Sequence, residues 1–502
     1  MFTEKSKQLF KNANNRLQSL REELYDVSAL QKAQFCAETR LLPLERVDAL
    51  LDQRFRFSIG SLAGWSEQGV DGSGVWVFLG CIHGRPVMVL ANNVCQRGGV
   101  FTPAGVNKIN RALEMAYNVS LPVVMLVESA GADLTRQAEL FVETGRIYAQ
   151  LARIGQKGLP IIASVHGVAT AGGAYLPGMA DTVIMVERAD VSLAGAALIE
   201  AAMGTGSKNV GGALMHASCS GLADYLVSGD QEAINKVRDL FDQMPQESLP
   251  QYTVNVTDVT VDHVIPFDFK YRYAPLMLIE WLADQGSVDV FKAHYGTSMC
   301  VAFIQLSGFT CGVVANNGPI EPDGANKVSQ FLQQCELKRL PVLFLHNTTG
   351  FMVGEEVEKQ GIIKYGSRWL QVMSNLTVPK IALMVGASFG AGSYAMCARG
   401  FDPDFIFAWP NAKMAVMGAD QAATVMGVIA AKRRKSSDAI AALKSNISDQ
   451  YQNESDVLYL AGKMWVDEVI LPEETHEVLA LCLAILARKS NVQSRSYGTS
   501  RV

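Results

Sequence analysis

The chain has 502 residues, of which 49% are hydrophobic and 19% charged, with a formal net charge of −5. No basic run stands out, which argues against a nucleic-acid surface, because phosphate binding needs clustered Lys and Arg. At this length about two to four domains with large buried cores are expected, and the nine cysteines, scattered without a CxxC pair, read as buried thiols in a reducing compartment rather than a disulfide framework.

The opening "MFTEKSKQLFKNANNRLQSLREEL" is charged and helical, with no apolar signal core. Residues 1–50 read as helices packing on the first domain. No uncharged apolar stretch of about 18 residues follows, so a spanning helix is not expected. A bacterial cytosolic protein without membrane attachment is the resulting expectation.

Further along, apolar runs of strand length alternate with helix-patterned segments such as "TPAGVNKINRALEMAYNVS" and "DGANKVSQFLQQCELKRL". Continuous apolar runs read as strands buried on both faces. Their alternation with helices predicts an α/β class with ββα units around mainly parallel sheets. Residues 243–263 are polar and contain prolines, and read as a linker. Residues 430–490 read as a helical tail.

The strongest signal is an internal repeat, and long periods take precedence over local patterns. "LPVVMLVESAG" (121–131) matches "LPVLFLHNTTG" (340–350), with Pro122 lying 219 residues before Pro341 and Gly131 the same distance before Gly350. "LPIIASV" (159–165) matches "VPKIALMV" (378–385), and the offset of 219 carries Gly173 onto Gly392 and Tyr175 onto Tyr394. Upstream, "GRPVMVLANN" (84–93) matches "GFTCGVVANN" (308–317) at an offset of 224. Two homologous domains follow, with boundaries expected at residues 1–245 and 246–502.

Both copies run an apolar strand into a small-residue turn and a short helix: "ATAGGAYLPGMAD" (169–181) and "ASFGAGSYAMCARG" (387–400). Glycine lets backbone N–H groups approach a ligand with no Cβ in the way. The first N–H groups of a helix have no intrahelical partner and carry partial positive charge. Aimed at a thioester or amide oxygen they form an oxyanion hole, each donor contributing about 3–4 kcal/mol. One isolated turn of this kind is ordinarily a plain connection. Two at matched positions point to two enolisable carbonyls.

These motifs, with "LLPLERVDALLD" (41–52), "SAGADLTRQ" (129–137), "SGLADYLV" (220–227), "YGTS" (295–298), "NNGPI" (316–320), "FLHNTTGFMVGEEVEKQGIIKYG" (344–366) and "FGAGSYAMCARGFDPDFIFAWPNAKMAVMGADQAA" (389–423), resemble the carboxyltransferase (β) subunits of biotin-dependent acyl-CoA carboxylases over nearly the whole chain. "TGFMVG" and "GAGSYAM" place the likeness nearest the methylcrotonyl-CoA and geranyl-CoA carboxylase subgroup. The resemblance implies tandem duplicated crotonase-like (ClpP/crotonase) domains built from ββα superhelical units. It also implies that carboxybiotin releases CO2 in a closed site and that the biotin nitrogen removes the substrate proton. The cofactor then supplies the base. No Ser–His–Asp signature, HExxH or zinc spacing appears among the seven histidines.

By resemblance, Gly172, Gly173 and Ala174 hold the acyl-CoA carbonyl in the N-terminal domain, and Gly392 and Ser393 hold the biotin urea in the C-terminal domain. Tyr175, Ala395, Tyr394, Gly131, Gly350 and Phe351 shape substrate binding. The family's site lies between the first domain of one subunit and the second of another, which implies a homo-oligomer, in this family a hexamer. No Met-Lys-Met biotinylation site is present, "AGKMW" (461–465) does not match one, and no ATP phosphate loop is recognisable. A biotin carboxylase and a biotin carboxyl carrier subunit are therefore the implied partners, with biotin carried on the partner and not on this chain.

Other residues read more simply. His166 and His346 read as satisfied loop histidines, Asp133 and Arg136 as a capping and orienting network, and Phe407 and Trp409 as core. Lys432, Arg433, Arg434 and Lys435 read as a solvated helix face. Three features depart from the family: Glu38, Thr39 and Arg40 stand where an Arg-Gly-Lys is usual, "AGAALIEAAMGTGSKNVGG" (194–212) replaces its Gly-Gly-Pro-Pro loop, and "AELFVETGRIYAQ" lacks its Phe-rich insertion. All lie on the acyl side, so a carrier-protein thioester or an unusual acyl group stands beside acyl-CoA. Two other activities also stay open: an acyl-CoA decarboxylase of the same fold, biotin-dependent or biosynthetic, and a non-catalytic assembly subunit.

Overall fold

The computed structural model describes residues 4–53, 56–66, 68–194, 210–244, 248–254, 259–268, 270–433 and 436–488. It divides into an N-terminal unit, Leu20–Pro250 joined by Arg488, and a C-terminal unit, Gln251–Ala487 joined by the first helix as far as Ser19.

In chain order the N-terminal unit contains β1 (Arg56–Ser58), the small hairpin of β2 (Trp65–Ser66) and β3 (Gly69–Val70), then β4 (Val75–Ile82), β5 (Arg85–Asn92), β6 (Val123–Ser129), β7 (Ile161–Thr170), β8 (Thr182–Val186), β9 (Asp190–Ser192) and β10 (Tyr225–Val227). Its main sheet runs β1-β4-β5-β6-β7-β8-β10, with β9 beside β7. The β1/β4 and β4/β5 pairs are antiparallel, and from β5 onward every neighbour is parallel.

The C-terminal unit repeats this plan with β11 (Asp289–Val290), β12 (Met299–Leu306), β13 (Phe309–Asn316), β14 (Gly318–Ile320), β15 (Val342–Phe351), β16 (Lys380–Phe389), β17 (Phe405–Ala408), β18 (Lys413–Ala415) and β19 (Glu468–Val469). The order is β11-β12-β13-β15-β16-β17-β19, with β18 beside β16 as β9 is beside β7, and β14 added to β15. The expected α/β class with parallel sheets is what the chain forms.

The repeat reaches down to single turns. The β4/β5 hairpin closes through His83 (φ +52) and Gly84 (φ +72), and the β12/β13 hairpin through Ser307 (φ +51) and Gly308 (φ +84). Two left-handed residues give the turn whose twist suits a hairpin. In each case an aspartate accepts both turn N–H groups: Asp52 at 3.3 and 2.8 Å, and Asp284 at 3.0 and 2.7 Å. A lysine is buried on the helix Pro103–Asn118 of one unit and on the helix Pro322–Lys338 of the other. Lys108 donates to Gly72 O and Val75 O, both at 2.9 Å, and Lys327 to Met299 O at 3.0 Å. A buried ammonium is tolerable only with such acceptors.

Two expectations change. The helix Glu4–Tyr25 does not serve the first domain throughout: Phe10 meets the Phe267 ring edge-on at 5.0 Å, and Ser6 Oγ accepts from Phe267 N at 2.8 Å. Residues up to Ser19 group with the C-terminal unit. The helical tail is likewise interrupted by β19, after which the buried helix Thr475–Ala487 closes the core.

Candidate functional site

Each unit carries the glycine turn at the end of its central parallel strand. In the N-terminal unit β7 ends at Thr170 and the chain turns through Ala171–Ala174 into the short helix Tyr175–Gly178. In the C-terminal unit β16 ends at Phe389 and passes directly into the helix Gly390–Ala395. The first turn residue is left-handed in both, Ala171 at φ +51 and Gly390 at φ +57. The first copy therefore holds a Cβ where only glycine is unstrained. The backbone path is kept even where the residue is not.

The strand beside each turn supplies its floor. Gly131 (φ +92) follows β6, and its N–H donates to Ser129 Oγ at 3.2 Å. Gly350 (φ +105) follows the same bend within β15, and its N–H donates to Thr348 Oγ1 at 3.1 Å. A Cβ on Gly131 would lie 3.1 Å from Thr170 O, and one on Gly350 3.4 Å from Phe389 O, so both glycines sit against the strand-to-turn junctions. A Cβ on Gly392 would lie 2.8 Å from Thr348 Oγ1 and 2.9 Å from Gly350 Cα, whereas one on Gly173 would meet Ser129 Cβ at an ordinary 3.4 Å. The second turn is the tighter.

Tyr148 steadies the first turn. Its hydroxyl donates to Gly172 O at 2.7 Å and its ring lies 5.5 Å from that of Tyr175. Burial pushes the Tyr148 hydroxyl up to about 12, so it remains a donor. Tyr175 and Tyr394 are each half exposed at matched positions. Phe351 is half-buried against Trp369, with ring centroids 6.2 Å apart. Ala395 is entirely buried inside the C-terminal unit. It sits in the last turn of a six-residue helix, where the side chain falls back onto the core.

The turns differ in what lies beneath them. Under the first is an ionic cluster. Glu128 accepts from Arg46 at 2.7 Å and also from Arg40, while Asp230 accepts from His166 at 2.7 Å, from Leu41 N at 2.8 Å and from Arg188. His166 Nε2 meets Ser164 Oγ at 3.0 Å. Burial pushes His166 down to about 4 against the pull of Asp230. Burial alone would raise Asp230, but the His166 hydrogen bond and the Arg46 charge hold it well below the carboxylate range.

Under the second turn the groups are neutral. His346 Nδ1 meets Ser388 Oγ at 2.9 Å, and the Ser388 hydroxyl donates to Ser393 Oγ at 2.9 Å. Asn347, at the position matching Glu128, accepts from Ala387 N at 2.9 Å. Burial pushes His346 down to about 3.

Both histidines are thus fully buried strand residues rather than loop residues. Asp133 caps the turn Leu134–Arg136 through Thr135 N at 3.1 Å, and Arg136 reaches Asp71 and Glu139, each at 2.8 Å. Phe407 and Trp409 are core. Lys432 and Arg433 are exposed, while Arg434 and Lys435 lie outside the described residues, as does most of 194–212. Arg40 is occupied by Glu38 and Glu128 rather than free at the surface. Sequence reasoning missed Ser129, Thr348 and Tyr148. The first two stand at matched places in "VESAG" and "HNTTG", so the repeat itself held that signal.

A carboxyl transferase domain matches residues 36–498. A probable biotin-dependent acyl-coenzyme A carboxylase beta2 subunit of Mycobacterium tuberculosis is 38% identical over 482 residues, covering 93% of this chain and 91% of the relative. The mitochondrial methylcrotonoyl-CoA carboxylase beta chain of Dictyostelium discoideum is 36% identical over 486 residues, covering 92% and 83%. The crystal structure of the P. aeruginosa geranyl-CoA carboxylase beta subunit superposes with a TM-score of 0.93 at 36% identity, covering 100% of this chain and 98% of that one. With the tandem crotonase-like architecture, these matches show that the chain belongs to the carboxyl transferase family, as a carboxyltransferase subunit of the biotin-dependent acyl-CoA carboxylase type.

Proposed function

We propose that the two turns divide one carboxyl transfer between them. The first, with Gly172, Gly173 and Ala174, takes the thioester carbonyl of an acyl-CoA, and the second, with Gly392 and Ser393, takes the urea carbonyl of biotin. The observation that carries this reading is the matched geometry: two strand-to-turn junctions 219 residues apart, each opening on a left-handed residue and each floored by a hydroxyl-held glycine.

The second turn suits biotin in its donor chemistry. The groups around Gly392 (Thr348, Ser388, Ser393 and a neutral His346) are uncharged hydrogen-bonding groups, able to meet a urea carbonyl. Carboxybiotin, delivered by a partner carrier subunit, supplies the activated carboxyl group when bound. The chain's own residues provide the rest. Backbone N–H donors stabilise charge on each carbonyl oxygen, the buried strand ends exclude water, and the Tyr148 hydroxyl fixes the Gly172 carbonyl so that the first turn keeps its shape.

Tyr175, half exposed beside Tyr148, faces the acyl group, and a branched or extended enoyl thioester of the methylcrotonyl or geranyl kind is the substrate class we infer. A misfit methylene costs about 1–3 kcal/mol, so selectivity is graded. We also infer a homo-oligomer. Leu134, Phe141 and Val142 are 81%, 82% and 72% exposed on the N-terminal unit, which is costly for large side chains left in water.

The test is fixation of labelled bicarbonate into acyl-CoA by the purified chain with a biotin carboxylase and a carrier subunit. 3-Methylcrotonyl-CoA or geranyl-CoA should be labelled in preference to acetyl-CoA. Loss of carboxylate from a carboxylated thioester in the absence of biotin, with no fixation into any acceptor, would establish the decarboxylase reading instead.

A further inference from the structure

The repeat makes the two turns a controlled comparison. His346, Ser388 and Ser393 are buried and joined in one hydrogen-bonded chain. Their counterparts 219 residues earlier are Val127, Ala169 and Ala174, all three apolar and all buried. Three polar side chains in contact thus occupy places that the same backbone fills elsewhere with aliphatic ones. Burying a polar side chain has a desolvation cost that a hydrogen bond only offsets, so stability alone favours the aliphatic set. Something other than packing keeps these three positions polar in one unit and not in the other.

The proton count gives it a direction. A serine hydroxyl has one proton to donate. Ser388 donates to Ser393, so His346 donates its Nδ1–H to Ser388, and Ser393 accepts while keeping its own proton for a further acceptor.

We propose that His346 and Ser388 are positioning residues that act through Ser393, orienting its hydroxyl proton toward the carbonyl bound at the second turn. The proposal rests on the reading that this turn holds biotin. A point donor held by two buried hydrogen bonds does not have to reorganise when charge develops on that oxygen, and preorganisation of this kind is what a water-excluded site rewards. The first turn has no counterpart, so the two carbonyls would be held differently: by backbone alone in one, and by backbone and a fixed hydroxyl in the other.

The experiment uses the full-length chain with a carboxylated enoyl-CoA as carboxyl donor and biotin methyl ester as acceptor, varying each in turn. Ser388→Ala and His346→Val should each lower kcat/KM for biotin methyl ester by roughly 5- to 100-fold, the range for a lost buried hydrogen bond. KM for the thioester should stay within about twofold. Ser388→Ala combined with Ser393→Ala should be no worse than Ser393→Ala alone, because residues in one chain fail as a unit. Ser388→Thr keeps the hydroxyl, and His346→Asn keeps an N–H near the Nδ1 position, so both should recover most of the activity. If Ser388→Ala and His346→Val leave both substrates unchanged, or lower both equally with native melting curves, the positioning role is overturned. If the same coupled pattern appears on the thioester instead, the chain is a positioning device and the assignment of biotin to the second turn is wrong.

Discussion

The two turns share a backbone and differ in what they stand on. Beneath the first, three guanidinium groups meet two carboxylates, with Arg46, Glu128 and Asp230 almost completely shielded from water. Beneath the second, the carboxylate position is Asn347 and the histidine answers to serines. A duplicated backbone has therefore been kept while its buried electrostatics diverged. The turn's shape comes from strand ends and left-handed residues, which tolerate this exchange, whereas its chemistry comes from the layer below.

The largest effect should come from breaking the ionic layer. Arg46→Ala leaves Glu128 and Asp230 short of a buried partner and should destabilise the N-terminal unit by about 3–5 kcal/mol, read as a lower urea midpoint. Asn347→Leu in the other unit removes only neutral hydrogen bonds and should cost about 1–3 kcal/mol. Equal losses would mean that the two layers are not electrostatically distinct.

A second contrast concerns the glycines. Gly392→Ala forces a Cβ to within 3 Å of Thr348 Oγ1 and Gly350 Cα and should destabilise by about 1–3 kcal/mol through overpacking. Gly173→Ala meets only Ser129 Cβ at 3.4 Å and should stay within about 1 kcal/mol of the parent. Matching melting temperatures would contradict the tighter fit of the second turn.

The last contrast is in pH dependence. An unfolded histidine binds its proton below about pH 6.5, whereas folded His346 stays neutral down to about 3. The unfolded state therefore holds the extra proton across that window, and stability falls as pH drops through it. His346→Val removes the term and should flatten the slope by at most about 1.4 kcal/mol per pH unit. His166→Val should flatten it too, but with a general loss of stability, because it strips a partner from Asp230.

Much of this was legible in the sequence because the repeat is local in its grammar. Proline-led apolar runs, hairpin glycines and paired-glycine turns sit at fixed offsets, so the matched strands and both turns follow from reading one half against the other. What escaped depends on contacts between distant residues. Arg46 and Asp230 lie far apart in sequence and meet only in the folded unit. The first helix shows its amphipathic face but not its mate, Phe267. The small size of Ala395 is legible in the sequence, whereas its complete burial is not.

The claim that the turns serve different partners is tested most directly by a pair of single changes measured against both substrates. Tyr148→Phe removes the hydroxyl that holds Gly172 O, and Ser393→Ala removes the second-turn hydroxyl that accepts from Ser388. KM should be determined for an enoyl-CoA thioester and for biotin methyl ester in each variant. Tyr148→Phe should raise KM for the thioester by about three- to tenfold and spare biotin methyl ester. Ser393→Ala should do the reverse. If both variants move both constants in parallel, the turns do not divide the carbonyls between them.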